Sequence, residues 1–281
     1  MGPSYGGVMT VPDITLNDGV TIPQLGLGVF QVDPDETQEV VETALEIGYR
    51  HIDTAKIYGN EKEVGAAIAA SGIARDDLFV TTKLWNDDQG YDSTLAAFDT
   101  SMDKLGLDVL DLYLIHWPTP ANDRFVETFK AFEKLKADGR VRSIGVSNFR
   151  EEDLQRLVDE GLSVPSVNQV ELHPALTQEH LRSVHAERGI ATEAWSPLAQ
   201  GKVLEEQAVV DAATAHDAEP GQVVLAWHLA LGNIVFPKSV NRDRLVSNFA
   251  STDVTLTQDE IDAISAIDRG ERIGPDPSTL N

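Results

Sequence analysis

The sequence predicts an α/β protein: a (β/α)8 TIM barrel with an N-terminal β-hairpin and extra C-terminal helices. Eight short, β-prone apolar runs recur along 281 residues, and each is followed by a helical pattern. Strand–helix alternation implies a parallel sheet with helices outside, and eight repeats is the number that closes a barrel. The turn after the first run, GLGVFQVDPDE, carries two glycines and then Phe30. It therefore lacks the G-x-G-x-x-G fingerprint of the competing architecture, an open dinucleotide-binding sheet. No Pro/Ser-rich linker divides the chain, so residues 11–281 are expected to form one barrel behind a flexible leader, residues 1–10.

Residues 14–23, ITLNDGVTIP, are two β-prone runs around Asn17-Asp18-Gly19, a hairpin signal. The eight barrel runs follow at 25–30, 49–54, 78–85, 109–117, 141–148, 166–172, 189–195 and 233–239. The first helical segment, DPDETQEVVETALEIG, opens on Pro and acidic residues. Its apolar stripe is Val40, Val41, Ala44 and Leu45, and it stops at Gly. Five more segments share that plan. The seventh run is followed by two helical segments, about 203–215 and 220–232; VNRDRLVSNFA follows the eighth, and 256–267 is a further helix.

Composition narrows the function classes. Asp and Glu outnumber Lys and Arg by 46 to 22, giving a formal net charge of −24. General attraction to nucleic acid or to an anionic membrane is disfavoured, and an anionic ligand needs a local positive cluster. The chain has no cysteine, which excludes disulfides, thiolate catalysis and zinc–cysteine sites. With no apolar run of membrane-spanning length and no exposed apolar seam, a cytoplasmic monomer without a metal is expected.

Three consecutive strand ends carry polar groups where apolar ones are usual: Asp53, with Tyr58 in the loop beyond it, then Lys83, then His116. In a βα barrel that face carries the chemistry. A phenol is a weak acid at neutral pH, and an adjacent Lys83 ammonium is expected to lower its pKa. Asp53 would hold the ammonium, and His116 would orient a carbonyl oxygen or relay a proton. Taken singly, each has a plainer structural role: packing for Tyr58, helix capping for Asp53, solvation for Lys83. Together they fit a device that gives a proton to a developing alkoxide.

The strings GYRHIDTAKIYGNEKEVG, FVTTKLW, DLYLIHWP, IGVSNF, VNQVELHP, WSPLAQG and PKSV, in that order, resemble the aldo-keto reductase family across almost the whole chain. GIARDDLFVTTKLWN and HWPTP are most similar to its bacterial 2,5-diketo-D-gluconate reductase group. The resemblance implies the barrel, a tetrad of Asp53, Tyr58, Lys83 and His116 with Tyr58 as general acid, and hydride transfer from NADPH to an aldehyde or ketone. It implies that Ser147, Asn148 and Gln169 hold the nicotinamide carboxamide and that Trp195 stacks on the ring. Ser196, Leu198, Gln200 and Gly201 would cover the pyrophosphate. Lys238, Ser239 and Arg244 would take the adenosine 2′-phosphate of NADPH and Asn248 the adenine, with Val240 also among the cofactor-binding residues. Asn241 and Ser247 depart from the Arg and Glu common in that group.

Phe30, Trp85 and Trp117 end the first, third and fourth strands and, with His116, are expected to wall a largely apolar pocket for a small carbonyl substrate. The polar tail after Ile267 selects no particular substrate. Two other readings stay open on the residues alone. One is a Schiff-base aldolase with Lys83 as nucleophile, which leaves Trp195, Lys238 and Arg244 without a role. The other is an NADPH-binding regulatory barrel, since fold does not settle function.

Overall fold

The computed structural model describes residues 11–281; the leader expected over residues 1–10 lies outside the described residues. The chain opens with an antiparallel hairpin, β1 (Asp13–Thr15) and β2 (Thr21–Pro23), turning at the expected Asn-Asp-Gly. Eight parallel strands follow in chain order: β3 (Leu27–Gly28), β4 (His51–Asp53), β5 (Phe79–Leu84) and β6 (Leu110–Ile115), then β7 (Val141–Ser147), β8 (Val167–Glu171), β9 (Ala191–Trp195) and β10 (Ile234–Val235). The seam between first and last is closed by a parallel bridge, Leu25 to Val235, with Gly26 N–H donating to the Val235 carbonyl at 2.8 Å. The glycines of GLGVF belong to this seam. A Cβ on Gly28 would lie 2.5 Å from the Phe236 carbonyl oxygen, and one on Gly26 would strike the His51 ring at 2.7 Å. They admit close backbone approach where a dinucleotide fold would spend them on phosphate.

Helices surround the barrel as the periodicity predicts. Six alternate with the strands: α1 (Pro34–Ile47), α2 (Glu61–Ala70), α3 (Tyr91–Leu105), α4 (Phe125–Ala137), α5 (Glu151–Asp159) and α6 (Glu179–Arg188). Two follow β9, α7 (Gln207–Ala215) and α8 (Pro220–Ala230), and α9 (Arg242–Phe249) and α10 (Gln258–Ser265) complete the chain. In α1, Asp33 caps the Asp35 N–H and Pro34 takes the first turn, where its missing N–H costs nothing. The predicted stripe Val40, Val41, Ala44 and Leu45 is buried. Tyr49 packs on Phe249 and donates to the Leu245 carbonyl at 2.9 Å, docking α9 beside α1 and closing the helical ring. The helix expected from 203 begins at Gln207. A short 3-10 segment, Ala199–Gly201, and turns over residues 202–205 take up the chain before it. No helix among the described residues is long and apolar enough to cross a membrane.

The hairpin plugs the N-terminal end of the barrel. Leu16 and Ile22 are buried against Phe79, Leu112, Leu114, Val167 and Ile234. Asp18 in the turn accepts from Lys136, Ser143 and Ser166. The hairpin closes that end of the barrel interior.

Three buried histidines make the fold acid-sensitive. Burial pushes His51 and His185 down to about 4 and His228 to about 3, so all three are neutral in the folded chain. The unfolded chain binds protons below the ordinary value of 6.5 and the folded chain does not, so stability falls with pH. The melting temperature is expected to drop steadily from about pH 6.5 to about pH 4. A flat melting temperature across that window, measured by circular dichroism, would contradict it.

Candidate active site

Asp53, Lys83 and His116 stand at or just beyond the C-terminal ends of β4, β5 and β6, and Tyr58 closes a short 3-10 turn (Lys56–Tyr58) after β4. That turn is fixed locally. Thr54 Oγ1 donates to Asn60 Oδ1 at 2.8 Å, Asn60 Nδ2 donates to the Val29 carbonyl at 3.0 Å, and Gly59 takes a left-handed φ of 73°. An ion pair between Lys56 and Asp88 ties the turn to the loop after β5.

The Lys83 ammonium has three protons and three acceptors. They are Asp53 Oδ1 at 2.6 Å, the Thr54 carbonyl at 2.9 Å and, at a longer 3.4 Å, Tyr58 Oη. Because the Tyr58 oxygen accepts here, its own proton is free to turn toward a ligand. His116 meets the Tyr58 ring edge-on with centroids 5.8 Å apart, and Trp85 packs on its other side at 5.3 Å.

Lys83 is fully buried. Burial alone would lower its pKa, but the Asp53 carboxylate and Tyr58 outweigh it, and the net shift is upward. An ammonium held in this way has no lone pair to offer, which counts against the Schiff-base reading. Burial, with Lys83 adding to it, pushes His116 well below the ordinary imidazole value, so His116 is neutral. Tyr58 corrects an expectation: its pKa is raised, not lowered. Burial is the larger effect, and the nearby Asp53 charge partly cancels the help from Lys83. The neighbouring ammonium limits a rise that burial imposes.

The tetrad opens onto a cavity of about 510 Å³. Most of the predicted residues line it: Phe30, Asp53, Tyr58, Trp85, His116 and Trp117 from the first four barrel strands and their loops, and Ser147, Asn148, Gln169, Trp195, Ser196, Gln200 and Lys238 from the last four. Lys83 sits behind the wall. Leu198, Gly201, Ser239, Val240, Arg244 and Asn248 are off it; Ser239, Val240 and Arg244 lie around the start of α9 and Asn248 in its last turn. Phe30, 53% exposed, packs on Tyr58 at 5.1 Å at the rim, whereas Trp117 is buried and meets Trp195 edge-on at 6.4 Å.

A polar network ties the tetrad to the strand ends that follow it. Gln169 Nε2 donates to Asp53 Oδ2 at 2.9 Å and to Glu193 Oε2 at 2.7 Å. Ser147 Oγ donates to the Gln169 carbonyl at 2.8 Å. Asn148, at φ 64°, donates to the His116 carbonyl at 3.0 Å and accepts the Trp195 indole N–H at 2.8 Å. The ends of β6, β7 and β9 are thereby joined. Ser196, Ala199 and Gln200 also have positive φ, so unfavourable backbone is concentrated at this mouth.

At the start of α9, Asn241 accepts the Arg244 N–H at 3.0 Å as the helix cap, and Ser247 donates to Glu219 at 2.7 Å. The two departures from the reductase pattern thus have structural partners. Lys238 and Arg244 are exposed, and among the described residues neither makes an ion pair.

Several wall residues escape the sequence pattern. Ile57, Phe236, Ile273, Gly274, Pro275 and Leu280 also line the cavity, four of them from the tail. The tail is latched by Glu171, which accepts the Ile273 N–H at 2.6 Å and the Gly274 N–H at 3.1 Å. Gly274 lies so close to Trp195 that a Cβ would sit 2.2 Å from its ring. Glu171 and Glu193 had a legible signal: at strand spacing they share a face with Gln169 and Trp195. The tail has no periodicity that would mark it.

Comparison with known proteins agrees with this architecture. The family model described as the aldo/keto reductase family matches residues 24–269. The chain is 50% identical over 271 residues to the methylglyoxal reductase DkgA of Yersinia pestis, covering 96% of this chain and 97% of that protein. It is 47% identical over 268 residues to the glyoxal reductase of Bacillus subtilis strain 168, covering 95% and 96% respectively. Among solved structures, a Gox0644 mutant in complex with NADPH superimposes with a TM-score of 0.93 at 48% identity, covering 97% of this chain and 99% of that one. The chain belongs to the aldo/keto reductase family.

Proposed function

We propose that this protein is an NADPH-dependent oxidoreductase that reduces small aldehydes and ketones, α-dicarbonyls foremost, with Tyr58 as the proton donor. The observation that carries the reading is the third bond of Lys83. It engages the Tyr58 oxygen from behind and leaves the phenolic proton facing a cavity with neutral His116 beside it.

The residues fit a nicotinamide cofactor. Both N–H groups of the Gln169 amide are engaged by carboxyl groups, so its carbonyl oxygen is left to accept from a carboxamide. Trp195, tethered by Asn148, offers an aromatic face on the cavity wall. Lys238 and Arg244 supply unpaired positive charge near a helix start in a strongly acidic chain, which suits a 2′-phosphate. When bound, reduced nicotinamide supplies the hydride. The remaining work is done by side chains: His116 orients the carbonyl oxygen, Tyr58 Oη donates its proton to that oxygen, and Lys83 offsets the charge left on the phenol. The methylglyoxal and glyoxal reductase names of two close relatives, and the NADPH complex of Gox0644, support this substrate class and cofactor.

Loss of NADPH absorbance with methylglyoxal, glyoxal, aromatic aldehydes and keto-sugars tests the proposal, with methylglyoxal expected to give the highest kcat/KM. NADPH binding without turnover of any of them would defeat it. Arg244→Ala is expected to raise KM for NADPH by about 10–100-fold, the loss of one charge-assisted contact. KM for NADH should barely move; equal effects on both cofactors would remove the 2′-phosphate assignment.

A further inference from the structure

Glu193 belongs to the barrel-mouth network, and the reaction above leaves it without a part. It lies on β9, is fully buried, and sits two residues before Trp195 on the same strand face. Its Oε2 accepts from Gln169 at 2.7 Å, while its Oε1 is buried without a hydrogen-bond partner. Among the described residues no cation lies within ion-pair distance of it, whereas Asp53, sharing the same amide, has Lys83 at 2.6 Å. A buried carboxylate with no cation costs several kcal/mol, and a buried carboxylic acid costs far less.

We propose that Glu193, in its protonated form, is a positioning residue for the nicotinamide site. It locks the Gln169 amide with both N–H groups inward and the carbonyl oxygen toward the cavity, and it spares the barrel a second negative charge beside Asp53. The inference rests on the proposed reductase function for its consequence in turnover, but not for its geometry. Turned the other way, the Gln169 carbonyl oxygen would face the Asp53 carboxylate at 2.9 Å, which is electrostatically unfavourable, and the Glu193 oxygen at 2.7 Å would lose the N–H it now accepts. The charged groups that face Glu193 across the barrel are Asp53 from β4 and Lys83 from β5. Neighbouring β8 presents the neutral amide of Gln169, and β10 pairs at this level through Ile234, which does not titrate.

Burial, reinforced by the Asp53 charge, pushes the Glu193 carboxyl up to about 8. Above that pH a new negative charge appears in the barrel just as carbonyl reduction builds negative charge on the substrate oxygen. Reduction should therefore decline through about pH 8. Tyr58 cannot cause this decline, since its own pKa is raised above the ordinary 10.0.

Infrared spectroscopy of the whole protein, wild type against Glu193→Gln, tests the inference without turnover. A protonated-carboxyl band is expected in the wild type, titrating away near pH 8 and missing from the variant. In kinetics, kcat/KM of the wild type should fall about tenfold through that step, the order expected of one unit charge acting through a protein interior. In Glu193→Gln the decline should move to the higher pH where Tyr58 ionises. Glu193→Leu, which offers Gln169 no acceptor, is expected to weaken NADPH binding about tenfold, with Glu193→Gln restoring it. Absence of the band, or a pH 8 step that survives in Glu193→Gln, overturns the proposal. Band and binding need no catalysis, so a failure of the Tyr58 reading would leave both standing and is told apart.

Discussion

Lys83→Met is expected to cost about 3–5 kcal/mol of stability and to abolish carbonyl reduction, because it strands a buried carboxylate. Lys83 is fully buried, and its Asp53 partner is only 2% exposed. Removing the ammonium leaves Asp53 with one hydrogen bond, from Gln169, and takes the donor from the Thr54 carbonyl and the Tyr58 oxygen. The two losses have different remedies. Lys83→Met combined with Asp53→Asn removes the uncompensated charge, so the double variant should recover most of the stability. It should recover none of the activity, since the charge behind Tyr58 is still missing. Urea unfolding of the single and double variants beside their turnover measures both. A single variant as stable as the parent would show that Asp53 finds another way to be satisfied.

Tyr58→Phe should behave in the opposite manner, with fold and cofactor binding kept and chemistry lost. The ring is half-buried at the rim and keeps its contacts with Phe30 and His116, while the oxygen gives up only a long 3.4 Å bond. The expected fall in kcat is about 10²–10⁴-fold, the usual contribution of a positioned proton donor. His116, neutral and with its Nδ1 buried and unpartnered, has no excess proton with which to replace the phenol. The raised Tyr58 pKa also keeps the phenol protonated across the neutral range, so availability of the acid does not limit reduction there.

Much of this architecture was legible in the residue order. Eight β-prone runs and their Gly-terminated helices mark the barrel, and Asn17-Asp18-Gly19 marks the hairpin. The polar ends of three adjacent strands point to Asp53, Lys83 and His116, which the fold brings around one mouth. What was illegible depends on burial. Reading Tyr58 and Lys83 as neighbours gives the sign of one electrostatic effect, but desolvation belongs to the assembled barrel and reverses the net shift. Tail residues Ile273 and Gly274 are held at the cavity by backbone N–H bonds to the Glu171 carboxylate, with Pro275 and Leu280 following on the same wall, and no periodic pattern announces such a latch. Glu193 shares a strand face with Trp195, yet its significance appears only when Gln169 is seen to bridge it to Asp53.

The most direct measurement is a single turnover. Tyr58→Phe is saturated with NADPH, mixed rapidly with methylglyoxal, and followed by the loss of cofactor absorbance. If the phenol supplies the proton, cofactor fluorescence on binding matches the parent while oxidation slows by about a hundredfold or more. Oxidation at the parental rate in the folded variant would mean that another group protonates the carbonyl oxygen.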